Sequence, residues 1–498
     1  MPNTLEEAYD RTLEDIGKHN WEYTHRLLQF VAAASCPLRV EELVEFLAFD
    51  FDTDSTPILR DDWRKEDPAQ TVRSTCSSLL SIVEVDGSSV IQFAHFSVKE
   101  YLTSNRLAGS KETISRFHVS MTLARTIIAQ ACLGVIFHID EKITEDELDK
   151  FPLAVYAAKN WVDYARFQDV LPTIQDEVKR LFDPNNHHVS VWVWLYDPDL
   201  KVGDRRSKRP SRARATPLHY AAFCGLNDIV QLLIVERSQN VNALGFGEDM
   251  TPLGEASRKG YTEITRVLLE HRADTEITDN KGRSPLYRAS ENGHVEVVRV
   301  LLDHHADVNF RGGGDYTALH AASMSGQVAV ARVLLANGAD ANAKTKVNET
   351  PLHFACNEGV ARVLLEYDAD PNARDKRDRT PLHRVLEDGS GEVSWVLLES
   401  GADPNARDNW NRTPLHVASE VGHLDGVRLL LQHGADIHAW DNDDLTPFWP
   451  ASISASVSKF PRKYQDVMQL LLEHGAEGHG EEDLEGAIAT YSEPRAFY

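Results

Sequence analysis

At 498 residues the chain is too long for one ordinary hydrophobic core, so two or more domains are expected. A formal net charge of −25 argues against nucleic acid or an anionic membrane as the main partner. The five cysteines are scattered and form no C-x-x-C pair, which favours reduced thiols in a cytoplasmic or nuclear protein over a disulfide framework.

Residues 1–112 mix helical periodicity with one predicted hairpin. The apolar spacing predicts helices over residues 4–16, 21–34, 40–49, 71–80 and 96–104, with a polar surface loop over 50–67. Apolar stretches at 82–85 and 90–93 flank Asp86-Gly87, a dipeptide typical of a tight hairpin turn. Helices followed by a two-stranded wing and a closing helix predict a winged-helix-like α/β module.

Winged helices often bind DNA, and the candidate recognition region here is residues 67–81. That region offers only Arg73 as a cation, and residues 50–66 before it are rich in acidic side chains. Because DNA phosphates are bound by Lys and Arg, nucleic acid is not expected as a partner.

The stretch Gln92-Phe-Ala-His-Phe-Ser-Val-Lys-Glu-Tyr-Leu102 resembles the end of the winged-helix domain in fungal NACHT-ankyrin proteins. These are signalling ATPases related to NLR receptors. The resemblance implies that His95 could contact the β-phosphate of ADP, provided that a NACHT module supplies the nucleotide. The alternative is a histidine satisfied within its own domain. No G-x-x-x-x-G-K-[ST] phosphate loop occurs in the sequence, so the resemblance is to the C-terminal part of such a protein with the NACHT ATPase absent.

Residues 113–204 are predicted to form a helical spacer, with helices over 114–132 and 145–167. The apolar run over 122–137 is interrupted by Arg125 and Gln130, so no membrane-spanning segment is expected. The cluster Val191-Trp-Val-Trp-Leu-Tyr196 is too apolar to stay exposed and should pack against the spacer or the first repeat. The basic run over 205–214 is interpreted as a solvated loop, with a nuclear-import signal or a contact for an acidic partner as alternatives.

From residue 205 to 478 one phrase, Thr-Pro-Leu-His followed by two short helices, recurs with a period near 33 residues. Each copy continues with a Leu-Leu pair, and a Gly-Ala-Asp turn closes the repeat at residues 338–340, 401–403 and 434–436. The pattern resembles the ankyrin repeat over about eight repeats. Copies open at Thr216, Thr251, Ser284, Thr317, Thr350, Thr380, Thr413 and, in degraded form, Thr446. The predicted fold class is therefore mainly α, with an ankyrin-repeat solenoid after the winged-helix-like module and spacer, and a tail at 479–498.

Several features of the repeats are predicted from their residues. The opening Thr or Ser caps the first helix, and a glycine nine residues later ends it in the left-handed conformation. The recurring histidines should hydrogen-bond between adjacent turns rather than catalyse; they are His219, His320, His353, His383 and His416. Repeat five lacks three residues between Gly359 and Arg362, which predicts a shortened second helix and a changed stacking angle. Repeat eight has gained residues before Leu470 and is expected to be a cap.

The hairpin tips around repeats five to seven carry a local excess of cationic and aromatic residues, although Asp375, Asp378 and Asp408 partly offset it. Arg and aromatic side chains are typical anchors of protein interfaces. We therefore predict that this strip binds an acidic protein segment, with merely solvated turns as the alternative. The predicted strip consists of Lys344, Lys346, Arg374, Lys376, Arg377, Arg379, Arg407, Trp410, Arg412 and Trp440.

The sequence thus predicts a non-enzymatic scaffold that binds a protein on the concave face of its repeats. No cofactor or metal is expected, and the location is cytoplasmic or nuclear. One alternative is a regulatory fragment that docks onto a NACHT ATPase through residues 1–112. The other is an enzyme whose site is assembled from distant residues, since no nucleophile elbow, zinc helix motif or kinase signature occurs.

Overall fold

A computed structural model describes residues 5–16, 21–51, 57–64, 67–76, 78–196, 215–245, 248–457 and 461–477. The chain divides into two compact units, Met1–Pro217 and Leu218–Tyr498, here called the N-terminal and C-terminal units. The basic run over 205–214 and the predicted tail at 479–498 lie outside the described residues. The fold is mainly helical, as predicted, with a small α/β module at its start.

The first part of the N-terminal unit has the winged-helix-like arrangement, in which these elements follow one another: α2 (Trp21–Ala33), β1 (Leu38–Arg39), α3 (Val40–Phe46), α4 (Pro68–Cys76), β4 (Leu80–Val85) and β5 (Ser88–Phe93). Strands β1, β5 and β4 form an antiparallel sheet in that order. Asp86 and Gly87 connect β4 to β5 with positive φ at both positions, 50° and 77°, as a type I′ turn requires. The elements are α1 (Leu5–Asp15), α2 (Trp21–Ala33), β1 (Leu38–Arg39), α3 (Val40–Phe46), β2 (Phe49–Asp50), β3 (Ile58–Leu59), α4 (Pro68–Cys76), β4 (Leu80–Val85), β5 (Ser88–Phe93), α5 (Phe96–Leu102), α6 (Asn105–Ala108) and α7 (Glu112–Ser115).

Three expectations about this module are wrong. The helix predicted over 71–80 begins at Pro68 and ends at Cys76, and Leu80 is the first residue of β4. The helix predicted over 40–49 ends at Phe46, and Phe49–Asp50 forms a strand paired with Ile58–Leu59, inside the region predicted as a polar loop. Strands of two residues show no alternation of their own. Tertiary burial decides the pairing, because Phe49 is fully buried and Leu59 nearly so.

The spacer contains α8 (Met121–His138), α9 (Ala154–Ala165), α10 (Gln175–Leu181) and α11 (His188–Leu195). The predicted helix over 114–132 is wrong at both ends, because α7 stops at Ser115 and α8 continues to His138. The predicted helix over 145–167 is a 3-10 turn, Glu145–Lys150, followed by α9. Pro152 disfavours helical backbone at Phe151, which separates the two pieces.

Helix α8 corrects the expectation that no segment reaches membrane-spanning dimensions. Among the described residues it is the one helix long and apolar enough, by length and composition alone, to cross a bilayer. Its residues Ile128, Ala131 and Val135 are fully buried, and the helix packs on α2 and α9. This burial is what a core helix of a folded unit shows.

The apolar cluster at 191–196 forms most of α11 and packs against the spacer, which confirms one of the two predicted alternatives. Trp192 is 1% exposed, and its indole Nε1 donates to the carbonyl oxygen of Ala158 at 2.8 Å. Its ring lies 5.3 Å from that of Trp161 and 5.9 Å from that of Phe182, in edge-to-face arrangements. The cluster is therefore the centre of the spacer core.

The winged-helix-like module and the spacer share hydrogen bonds within the N-terminal unit. The Glu45 carboxylate accepts from the backbone N–H of Leu153 at 2.6 Å, and the Ser35 N–H donates to the Tyr164 hydroxyl at 2.8 Å. Burial raises the pKa of Glu45 above its usual range. The domain boundary predicted at residue 112 stays a prediction, and these hydrogen bonds join residues on its two sides.

The C-terminal unit is a succession of helix pairs. First helices pack on first helices of the next repeat. For example, α14 (Pro252–Lys259) packs on α16 (Pro285–Glu291), and α16 packs on α18 (Ala318–Met324). The helices are α12 (Pro217–Cys224), α13 (Asn227–Val235), α14 (Pro252–Lys259), α15 (Thr262–Glu270), α16 (Pro285–Glu291), α17 (Val295–Asp303), α18 (Ala318–Met324), α19 (Val328–Ala336), α20 (Glu358–Glu366), α21 (Pro381–Glu387), α22 (Gly391–Glu399), α23 (Pro414–Val421), α24 (Leu424–Gln432), α25 (Phe448–Val457) and α26 (Pro461–Glu473).

Repeat five corrects the prediction of a short second helix. Its second helix, α20, has nine residues, as does α19, whereas its first helix is reduced to a 3-10 turn, Pro351–Phe354. Gly359 accordingly lies inside α20. The other six predicted glycines do adopt positive φ: Gly225, Gly260, Gly293, Gly326, Gly389 and Gly422. The second helix keeps its length because its Leu364 is fully buried between neighbours.

Asparagines link consecutive hairpins on the C-terminal unit. Asn372 Oδ1 accepts from the Asp403 N–H at 2.8 Å, and its Nδ2 donates to the Gly401 carbonyl at 2.9 Å. Asn309, Asn342 and Asn405 make the same two bonds to the following hairpin. This ladder holds neighbouring repeats in register.

We expect Asn372→Ala to lower the free energy of unfolding of the repeats by about 1–2 kcal/mol, because two inter-repeat hydrogen bonds are lost. Asn409→Ala is the matched control, since this exposed asparagine is on the next hairpin and, among the residues that the structure describes, only its backbone is hydrogen-bonded. Urea denaturation of both variants measures the difference. Equal losses in the two variants would contradict a structural role for the ladder.

Candidate protein-binding surface

The recurring histidines are structural groups, as predicted. The Thr380 N–H donates to His383 Nδ1 at 3.2 Å, and His383 Nε2 donates to the Arg412 carbonyl of the next repeat at 3.1 Å. His219, His320, His353 and His416 make the same bond to the next repeat. Burial lowers the pKa of each of the five to about 4, so the neutral ring holds one repeat to the next.

Two of the predicted strip residues are engaged in ion pairs inside the chain. Arg379 Nε lies 2.9 Å from an Asp375 carboxylate oxygen, and its second nitrogen lies 3.3 Å from Glu387. Arg412 makes the equivalent pairs with Asp408 and Glu420 at 3.0 and 3.2 Å. Both arginine side chains are 12% exposed. They stiffen the hairpins from which the exposed cations project.

Four exposed cations occupy the same position in consecutive repeats, six residues before the opening threonine of the next repeat. We call Arg311, Lys344, Arg374 and Arg407 the cation row. Arg374 donates to the Arg407 carbonyl at 2.7 Å, and Arg407 donates to the Trp440 carbonyl at 2.9 Å. Arg311 reaches the Lys344 carbonyl at 3.4 Å. The side chains therefore line up along the edge of the repeats.

Arg311 is the functional candidate that sequence reasoning missed. Its hairpin ends in Gly312-Gly313-Gly314 instead of a charged tip, so the local excess of cations is not visible there. Its offset from Thr317 is the same as that of Lys344 from Thr350. Aligning the repeats on the opening threonine would have found it.

Further cations stand at the hairpin tips beside the cation row. Lys346 and Lys376 are exposed, and the Lys376 backbone N–H donates to the Val347 carbonyl of the preceding hairpin at 2.9 Å. Arg377 is half-buried, and its guanidinium carbon lies 5.9 Å from the centre of the Trp410 ring. The Arg412 guanidinium carbon lies 4.9 Å from the same ring. Trp410 is thus held by two cations.

Trp440 occupies the position that follows Arg407 in the cation row. Its side chain is 53% exposed, and its carbonyl accepts the bond from Arg407. The same hairpin carries Asp443 and Asp444, both exposed, so the basic surface ends at this tryptophan. An exposed indole at the end of a cationic row provides an apolar platform.

A groove runs along the first helices beneath the tips. One cavity of about 490 Å³ is lined by Glu349, Lys376, Arg377, Arg384 and Glu387, among others. A second cavity of about 390 Å³ is lined by His383, Arg412, Glu420, Lys463 and Tyr464, among others. Both include Arg379 and Glu387, so the groove continues from the hairpin before repeat five to repeat eight.

His95, the candidate nucleotide sensor, is exposed at the start of α5. Its Nδ1 accepts from the Ser97 N–H at 3.3 Å and lies 2.6 Å from the Ser97 hydroxyl. The ring also lies 4.3 Å from that of Phe96, which is 71% exposed. His95 is therefore a helix cap with partners inside its own domain, which is the simpler of the two predicted interpretations.

Comparison with known families gives the class of the protein. Ankyrin repeats (3 copies) match residues 218–312, 253–345, 319–408, 352–441 and 407–481, which together span just over half of the chain. The chain belongs to the ankyrin-repeat family, and its repeats indicate a protein-interaction role. The winged helix domain of GPI inositol-deacylase matches residues 11–115.

Among curated proteins, the chain is 28% identical over 292 residues to the azaphilone pigments biosynthesis cluster protein L of Monascus ruber, covering 55% of this chain and 60% of that protein. It is 39% identical over 69 residues to the palmitoyltransferase AKR1 of Lachancea kluyveri, covering 14% of this chain and 9% of that protein. The matches thus span three fifths or less of these relatives.

Proposed function

We propose that this protein is a non-enzymatic scaffold that binds an acidic segment of a protein partner along the tips and groove of repeats four to seven. The observation that carries the proposal is the concentration of exposed cations along one edge of a chain whose net charge is −25. Because the rest of the surface is acidic overall, this edge attracts an acidic segment selectively. We place this activity in the cytoplasm or the nucleus.

The charges available to a partner are fewer than the predicted strip suggests. Arg379 and Arg412 form ion pairs with carboxylates. Arg374 and Arg407 each donate a hydrogen bond from one guanidinium nitrogen to the carbonyl of the next position in the row. Lys344, Lys346 and Lys376 are exposed and form no ion pair with another described residue. These three lysines carry most of the proposed attraction.

A binding role without catalysis is supported by how the reactive side chains are used. The repeat histidines are buried and hydrogen-bonded to the next repeat, and His383, for example, is engaged on both ring nitrogens, with Thr380 and with the Arg412 carbonyl. Among the described residues no group of three or more His, Cys, Asp or Glu side chains could hold a metal ion. Incubation with ester, peptide and nucleotide substrates tests the proposal, and turnover by the purified chain would contradict it.

We expect the triple variant Lys344→Glu, Lys346→Glu, Lys376→Glu to weaken binding of an acidic peptide by about tenfold or more, because three attractions become repulsions. Its thermal stability should be unchanged, since none of the three ammonium groups holds the fold. The probe is a fluorescein-labelled peptide of alternating Glu and Ser, measured by fluorescence anisotropy. The wild-type affinity should also fall as salt rises.

The matched control reverses three exposed arginines on second helices, Arg266→Glu, Arg299→Glu and Arg428→Glu. Its net charge equals that of the lysine variant, but the charges lie away from the hairpin tips. We expect it to bind the peptide nearly as well as the wild type. Equal weakening in both variants would mean that only the overall charge matters, and the proposed surface would be wrong.

A further inference from the structure

The cation row has a regular spacing that a partner can match. Its members are one repeat apart, and arginine side chains in the row reach the carbonyl of the next position at 2.7 Å from Arg374 and 2.9 Å from Arg407. Neighbouring packed helices lie about 8–10 Å apart, which sets the distance between consecutive members. The row is therefore a line of four positive charges with a pitch of about 8–10 Å.

One exposed aspartate accompanies each member of the cation row. Asp307, Asp340, Asp370 and Asp403 each stand four residues before a member of the cation row, and all four are exposed. Each is locally fixed, because its carboxylate accepts from a backbone N–H two residues later. A partner with an uninterrupted run of acidic residues would meet these aspartates, whereas one with spaced acidic residues would not.

The conformation of the partner follows from the pitch. A polyproline II helix has three residues per turn and rises about 3.1 Å per residue, so every third side chain lies on one face about 9.3 Å apart. In a β-strand, consecutive side chains on one face are about 6.6 Å apart, and every second side chain on that face is about 13 Å apart. Neither distance matches the pitch of the cation row. Polyproline II thus matches one acidic side chain to each member of the cation row.

Trp440 favours the same conformation. It continues the cation row as its fifth position, is 53% exposed, and follows directly on Arg407, whose guanidinium binds its carbonyl. Polyproline II segments are typically recognised by exposed aromatic rings on which prolines pack. Four cations followed by an indole therefore present charge and an apolar platform along one line.

We propose that the cation row and Trp440 bind a proline-rich acidic segment in the polyproline II conformation, with an acidic side chain at every third residue. This inference rests on the proposed function and specifies its partner class. Arg311, Lys344, Arg374 and Arg407 each bind one carboxylate, and Trp440 packs on a proline at the end of the segment.

The test compares three labelled peptides on the intact protein by fluorescence anisotropy. The first is four Glu-Pro-Pro units, the second has the same composition with its four glutamates consecutive, and the third is an alanine-based helix with glutamate at every seventh residue. We expect the first to bind about tenfold more tightly than the second, since a register of four exposed pairs gains about twofold for each. The helical peptide should bind more weakly than the first.

Variants of the protein test which of its residues distinguish the spacing of the acidic side chains in the peptides. Trp440→Ala should weaken the Glu-Pro-Pro peptide about two- to fivefold while changing the peptide with consecutive glutamates little, whereas Lys344→Gln should weaken both acidic peptides, the Glu-Pro-Pro peptide more. Neither side chain holds the fold, so the melting temperature should stay unchanged, and Arg428→Gln on the outer face is the control. If both acidic peptides bind equally, or the helical peptide binds best, the spacing inference is wrong while the proposed function stands. If no acidic peptide binds, both are wrong.

Discussion

Acidification from pH 6.5 to pH 4 should destabilise the repeats by several kcal/mol, because five buried histidines must remain neutral in the folded state. Their pKa is lowered from 6.5 to about 4. Between these values the unfolded chain binds more protons than the folded one, so stability is complete above pH 6.5 and falls as pH drops toward 4. Each histidine contributes on the order of 3 kcal/mol at most.

Hydrogen exchange of helices α21 to α24, followed at constant ionic strength from pH 7 to pH 4.5, measures the loss in the repeats themselves. His383→Gln is the comparison, because it removes one titrating group from the middle of the stack. Its stability at pH 7 should be lower than that of the wild type, but the decrease on acidification should be smaller. An unfolding free energy that is flat between pH 6.5 and pH 4.5 would contradict the account of neutral, buried rings.

Trp192→Ala should destabilise the N-terminal unit by about 3–5 kcal/mol, because it empties the centre of the spacer core. The indole is 1% exposed, packs against Trp161 and Phe182, and donates to the Ala158 carbonyl. Exchange rates of the amides in α9 and α11 give the change in that unit. Protection there should drop, while protection in the ankyrin helices should not.

Two further variants separate packing from polarity. Trp192→Phe keeps a ring in the core but removes the indole donor, so about 1 kcal/mol should be lost. Trp440→Ala removes a tryptophan that is 53% exposed and should change stability by less than about 0.5 kcal/mol. A loss from Trp192→Ala no larger than that from Trp440→Ala would rule out a core role for α11.

Much of the fold follows from local sequence. Thr251 and Ser284 cap their helices as predicted, and Gly260 and Gly422 end theirs in the left-handed conformation. At Gly260 a second constraint also requires glycine, because a Cβ atom there would lie 2.6 Å from His294 Nδ1 of the next repeat. Positions of this kind are predictable because the requirement is the same in every repeat.

The errors occur where the pattern does not repeat. In repeat five the missing residues shorten the first helix to a 3-10 turn, whereas the sequence spacing predicts that the second helix is shortened. The spacing of the sequence alone does not determine which of the two helices becomes shorter. The packed neighbours decide it, because α20 is held on α19 and α22 through buried side chains such as Val360 and Leu364.

The candidate protein-binding surface was likewise predictable from the sequence only in part. The sequence shows a cluster of cations near the hairpin tips that includes three members of the cation row, but it reveals Arg311, which lies beside glycines, only when the repeats are aligned on the opening threonine. Nor could the sequence show that Arg379 and Arg412 are paired with Glu387 and Glu420, eight residues further along the chain. Those pairs depend on how a hairpin folds back over the helix that follows it.

By itself the sequence determined that the C-terminal unit is a stack of ankyrin repeats, because each repeat meets the same neighbours and the same letters satisfy the same contacts. It also determined that the recurring histidines serve the stack, because a group that recurs at most once in each repeat, here in five of the eight, is too regularly spread to form a single reaction centre. The tertiary structure decided which cations face solvent, which helix of repeat five was shortened, and that α8 is a core helix. These outcomes depend on contacts between residues far apart in the chain, where burial and charge pairing outweigh local preference.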